Sequence, residues 1–201
     1  TDAGGEHELY DRRRAAALAV ATGDIVAILE DRGVPRPDWA HTVMRLHREP
    51  WAVIGGAIEP APSGLVEWAL YICDFSRYAL PFTAGPRAWV SDVNVSYKRR
   101  ALAATRALWI DRFHEPAVHW ELQRQGEVLH LDPALVVDHH RTPKPIRVSL
   151  AERFHWGRLF GYIRAGELGV GKRCLLALAS PLVPFVVLGR HAHVHAGRGD
   201  A

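Results

Sequence analysis

Four groups of residues in this chain carry side chains and spacings that could do chemistry. Glu30-Asp31-Arg32 follows directly on the apolar run Ile25-Val26-Ala27-Ile28-Leu29. Carboxylates at a strand end can hold a divalent cation, and a guanidinium there can pair bidentately with phosphate. Glu115 precedes Pro116. Proline pushes the preceding residue out of helical geometry and itself suits a first helical turn, so Glu115 projects from a helix entrance, where a carboxylate can take a proton. Asp138-His139-His140 sets imidazoles beside an acid. That is metal-ligand chemistry, for which only one histidine, His139, would serve, because neighbours in extended chain point opposite ways. Arg153 and Arg158 lie on a stretch with apolar Phe154, Leu159, Phe160 and Ile163, and guanidinium at a partly buried site binds phosphate. Each group also has a plainer reading: solvated loop acids, a cap-region acid, a polar turn and a basic helix face.

The elements that must position these groups follow from pattern. Residues 8–22 carry alanine and leucine at helical spacing behind an arginine-rich opening, and Gly23 caps them. Ile25–Leu29 reads as a buried parallel strand, and Val34 to Asp38 as a proline-bounded loop opening a helix at Trp39. In that helix, 39–48, His41 and His47 read as surface residues. Residues 51–58 read as the next buried strand, with Gly55-Gly56 allowing close backbone approach, and Pro60 to Gly64 as a break. A helix with an aromatic face spans 64–78 and a loop 79–88. Residues 88–97 alternate as a strand that ends in Lys98-Arg99-Arg100, with Asn94 near the element's end. Two short strands, 128–131 and 135–137, flank an Asp132-Pro133 turn, and a helix covers 150–164.

Composition narrows the function. At 48% hydrophobic residues with seven tryptophans, 201 residues can build a sizeable core. A net charge of +3, with no basic block beyond Arg12-Arg13-Arg14 and Lys98-Arg99-Arg100, argues against nucleic acid, and the first triplet reads as a solvated helix face. Cys73 and Cys174 fit no metal or redox motif, which points to a reducing compartment, and no secretory signal opens the chain. Between Arg173 and Arg190 the chain is apolar apart from Ser180. That stretch is shorter than the ~20 residues of a straight membrane span and holds Pro181 and Pro184, so it reads as a kinked interfacial segment or a buried terminal helix. His191, His193 and His195 alternate in a tail without zinc-site spacing.

Several stretches together resemble the family 2 glycosyltransferases. AVATGDIVAILEDRGVPRPDW resembles the family's helix, strand and acidic DxD-type motif, WVSDVNVSYKRRAL its acceptor-side segment, FHEPAVHWELQRQG the segment with the catalytic carboxylate, and RFHWGRLFGYIR the basic helix after it. The resemblance spans roughly Arg12 to Arg164 and implies a GT-A-type α/β fold. That fold is a mostly parallel sheet flanked by helices, with a catalytic core over 1–165 and an apolar, membrane-associating helix and tail over 166–201. It implies inverting transfer of a sugar from a nucleotide-diphosphate donor to a glycan or lipid-linked acceptor hydroxyl, at the cytoplasmic face of a membrane. Glu115 would be the base, Glu30, Asp31, Arg32, Arg153 and Arg158 would face the donor diphosphate, and Asn94 and Arg99 the acceptor or sugar. A Mg²⁺ or Mn²⁺ ion would sit on Asp31 and His139, but Arg32 stands where the motif's last acid belongs and could itself supply that charge. Pro116 likewise replaces the Asp that many relatives carry beside the Glu. The resemblance also implies that the unit holding the nucleotide base lies upstream of residue 1. These departures keep a second expectation open, a non-catalytic membrane-peripheral domain on the same fold.

Overall fold

A computed structural model describes residues 6–61, 64–182, 185, 186 and 189. The chain divides into two compact units, 1–156 and 157–201.

The first unit opens with α1 (Glu6–Val20), whose Asp11, Ala15 and Leu18 face inward at helical spacing. β1 (Ile25–Leu29) follows, then a short β2 (Gly33–Pro35) within the expected loop, and α2 (Trp39–Leu46), which buries Val43 and Leu46. β3 (Val53–Ala61) buries every residue from Val53 to Ile58. It runs on through Pro60, where only one side of the strand is paired, since the antiparallel neighbour Asn94–Lys98 reaches only as far as Gly55. Pro62 and Ser63, part of the expected break, lie outside the described residues. Then come α3 (Leu65–Phe75), β4 (Gly85–Pro86), β5 (Asn94–Lys98), α4 (Arg99–Ala104), α5 (Arg106–Trp109), α6 (Glu115–Arg124), β6 (Leu129–His140) and α7 (Ile146–Gly166), whose residues from Gly157 on belong to the second unit.

The strands form one sheet in the order β1-β5-β3-β6-β2, with β4 also on β6. Only β3 and β6 run parallel; the other pairings are antiparallel. The fold is therefore α/β with a mixed sheet, which corrects the expectation of a mostly parallel one. An apolar run marks a strand without fixing its direction, and β1, expected to be buried and parallel, is an antiparallel edge strand in which only Ile28 is buried. The core lies on both faces: Val53, Val95, Tyr97, Leu129 and Leu131 pack with Leu102, Trp109, Phe113, Val118 and Leu122, while Ile54 and Leu135 pack with Val43 and Leu46.

The two expected strands around Asp132-Pro133 are a single strand with a bulge. Gly56 faces Asp132 and Ala57 faces Val136, so Pro133, Ala134 and Leu135 have no opposite number on β3. Asn94 holds this bulge. Its Nδ2 donates to the carbonyls of Ala57 at 2.8 Å and Leu135 at 3.0 Å, and its Oδ1 accepts from Trp39 Nε1 at 2.9 Å. A Cβ on Gly56 would fall 2.0 Å from the Leu135 oxygen and 2.4 Å from Asn94 Nδ2, so only glycine fits. The bulge returns β6 to register with β3 and β2 and carries His139 beside Gly33.

In the second unit, α8 (Val170–Ala179) exposes Val170, Leu175, Leu176 and Leu178, and a 3₁₀ turn over Ser180–Leu182 follows. The expected C-terminal apolar helix is thus ten residues long, ending where Pro181 cannot continue it. Among the described residues no helix is long and apolar enough to cross a membrane. Pro184, Arg190, His191, His193 and His195 lie outside the described residues.

Candidate active site

β1, β3 and β6 end, and β5 begins, at the same edge of the sheet, because β5 runs against β1 and β3 while β3 and β6 run together. Ligands of open α/β sheets bind outside the carboxyl ends of strands. Two clusters of charged side chains, pockets of charge rather than cavities, sit at this edge in the first unit.

The first is built where α6 starts. His114 is extended before Pro116, and the buried Phe113 donates its N–H to the Asp11 carbonyl at 3.0 Å, which sets the helix entrance against α1. Glu115 therefore turns inward with its side chain 17% exposed. Its Oε2 accepts the Asp92 N–H at 2.9 Å, and the two carboxyl groups also hydrogen-bond to each other. Arg14 pairs with Asp92 and lies 3.9 Å from Asp11, which bonds His114 at 3.1 Å. Behind Glu115, His119 Nδ1 stands 3.5 Å from Oε1, and His119 Nε2 is 2.8 Å from the Tyr97 hydroxyl. Burial holds His119 neutral, its pKa pushed down to about 3. Burial and then the charge of Asp92 push the Glu115 carboxyl well above its ordinary range, and Arg14 opposes this only in part. Asp92 is raised too, by burial, although Arg14 pulls it down.

The second pocket has the opposite balance. Asp74, near the end of α3, accepts Arg141 at 2.7 Å and Arg153 of α7 at 2.5 Å on one oxygen, Oδ2. The Nε groups of both arginines are buried without a hydrogen-bond partner. Burial raises the Asp74 carboxyl despite both guanidiniums. Between the pockets, His139 Nε2 and Glu30 Oε2 meet at 3.1 Å, and the His139 ring packs on Phe75 at 4.8 Å. Burial would raise Glu30, but His139, Arg32 and Arg14 outweigh it and hold the carboxyl low.

The structure thus brings Glu30, Arg32, Glu115, His139 and Arg153 to one edge of the sheet. Asp31 is exposed beyond the Glu30–His139 pair. Asn94 is fully buried with both polar atoms committed to the bulge and to Trp39. Arg99 pairs with Asp24 at the opposite edge. Arg158 is exposed and belongs to the second unit. A cation does not fit the donor set: Glu30 and His139 bond each other, with the Arg32 charge bearing on Glu30, and among the described residues no group of three His, Cys, Asp or Glu side chains is arranged to hold a metal ion.

Sequence reading missed Arg14, Asp92, Asp74 and Arg141. The signal for Arg14 was present: it flanks the buried stripe of Asp11, Ala15 and Leu18, so it is not part of a wholly solvated face. His47, expected at the surface, is buried against Ser96 Oγ at 2.9 Å, and burial pushes its pKa down to about 4.

No family model matches the chain, and no curated protein matches it.

Proposed function

We propose that this chain is a GT-A-type glycosyltransferase core that moves a sugar from a nucleotide-diphosphate donor to an acceptor hydroxyl with inversion. The observation that carries this reading is Glu115: a carboxyl group of raised basicity, 17% exposed, at the carboxyl edge of the sheet. Such a group removes a proton from a hydroxyl near neutral pH more readily than an ordinary glutamate. In the reaction Glu115 takes the acceptor's proton, the acceptor oxygen attacks the anomeric carbon, and the diphosphate leaves with the bonding electrons. Arg141 and Arg153, whose side chains are partly exposed, meet the negative charge that builds on the diphosphate through charge-assisted hydrogen bonds. Arg32 contributes from beside Glu30. A Mg²⁺ or Mn²⁺ ion is not required by this arrangement, which supplies its positive charge from side chains.

The acceptor is a glycan or lipid-linked hydroxyl at the cytoplasmic face of a membrane. In the second unit the exposed Leu175, Leu176 and Leu178 stand near Lys172 and Arg173, a composition suited to an anionic lipid surface.

The test is release of nucleoside diphosphate from a panel of uridine, guanosine and thymidine diphosphate sugars. The wild-type chain turns over one donor class, and Glu115→Gln loses on the order of 10²-fold or more of that rate. Equal rates in the two proteins would remove Glu115 from the chemistry.

A further inference from the structure

Glu115 is hydrogen-bonded to a second carboxyl group, which a solitary base does not need. Asp92 gives its backbone N–H to Glu115 Oε2 at 2.9 Å and bonds the same side chain with its own carboxyl. Two carboxyl groups in hydrogen-bond contact and mostly out of water do not both ionise, because the second charge is repelled by the first. They hold one proton between them and titrate as a unit.

We propose that Asp92 and Glu115 form one acid–base unit with a single shared proton, in which Asp92 is the positioning residue and Arg14 keeps the negative charge on Asp92. The surroundings agree on where that proton rests. Arg14 pairs directly with Asp92 and meets Glu115 only through weaker attraction. The other groups facing the pair are Asp11 and Glu30, whose charges bear on Asp92, and the hydroxyls of Tyr78 and Tyr97, both held neutral by burial. His119 is neutral, and if the Tyr97 hydroxyl donates to its Nε2, the ring proton sits on Nδ1 and faces Glu115 Oε1 at 3.5 Å. Apart from Arg14, no cation is in direct contact with either carboxyl among the described residues.

The consequence for catalysis rests on the reading of Glu115 as base. The shared proton passes from Glu115 to Asp92 along their hydrogen bond, and the freed Glu115 carboxylate takes the acceptor's proton. The pair then holds two protons and returns one to water through the exposed side of the pocket, where Asp92 is 15% and Glu115 17% exposed.

Carboxyl ¹³C NMR of the whole chain tests the pair without any substrate, with Glu115→Gln identifying the Glu115 resonance. In the wild type that resonance titrates above the ordinary glutamate range. Asp92→Asn removes the like charge and moves the midpoint down; Arg14→Gln removes the opposing charge and moves it up. Opposite shifts in the two variants are the signature, because a merely structural role would not give them. A wild-type midpoint in the ordinary range, or shifts of the same sign, would overturn the proposal. Loss of sugar transfer is a separate readout: the pair can titrate as described in a protein that transfers nothing, and that result would sink the proposed function alone.

Discussion

The two pockets at the carboxyl edge use the same kinds of side chain in opposite proportion. Around Arg14 stand Asp11, Asp92, Glu30 and Glu115, so acid outnumbers base. Around Asp74 stand Arg141 and Arg153, so base outnumbers acid. Each pocket meets the cost of its surplus differently. In the first, burial and the repulsion of Asp92 raise the Glu115 carboxyl, which favours its protonated form. In the second the guanidiniums cannot lose their protons, and the surplus positive charge stays, with two Nε donors unmet. A surplus of acid and a surplus of base therefore arise from one set of residue types, separated by the Glu30–His139 pair.

The strongest way to break the comparison is to remove what holds both pockets in place. Gly56→Ala drives a Cβ into Leu135 O and Asn94 Nδ2, displaces the bulge and costs roughly 3 kcal/mol or more in chemical denaturation. Both pockets should be lost together. Next, the same substitution in each pocket should give unequal results. Asp74→Asn leaves two buried guanidiniums without a counter-charge and destabilises by about 3 kcal/mol. Asp92→Asn relieves an acid surplus, and its cost stays within about 1 kcal/mol. Equal costs would show that the charge balance is not what distinguishes the pockets.

Smaller effects sharpen the contrast through pH. Glu115 is raised in the folded state, so the stability it contributes is present below the ordinary glutamate range and lost as pH rises through its folded value. Glu115→Gln should accordingly stabilise the protein by about 1 kcal/mol at neutral pH, with the gain shrinking on acidification. His119 and His47 have the other sign. They are neutral in the fold, with pKa values pushed from 6.5 to about 3 and about 4. The unfolded chain binds their protons first, so stability falls as pH drops from 6.5 toward those values, which His119→Gln should partly flatten in a denaturation series.

Much of this edge was legible in the residues, and the misses have physical causes. β1 spans the apolar run it was read from, though as an antiparallel edge strand, and Pro116 stands in the first turn of α6 as read, with Glu115 itself the first helical residue. Strand direction was not legible, because apolar runs look alike in parallel and antiparallel sheets. Nor was the bulge: Asp132-Pro133 reads as a turn, and only the Asn94 amide and the bare Gly56 Cα, brought from two other strands, keep the chain in one strand. Asp92, Asp74 and Arg141 escaped notice for a related reason. Each is an unremarkable polar residue in sequence and gains its meaning from a partner 67 to 79 positions away in the second pocket, or from α1 in the first.

The central claim is that the arginine-rich pocket receives a donor diphosphate next to a base. The most direct measurement is a thermal-shift comparison of the wild type and Arg141→Met with Arg153→Met, against uridine, guanosine and thymidine diphosphates and their sugars, each with and without Mn²⁺. A ligand that binds only the folded state raises its melting temperature. The account predicts a rise with one nucleotide class, present without Mn²⁺ and abolished in the arginine variant. No rise with any diphosphate, or a rise that survives loss of both arginines, would contradict it.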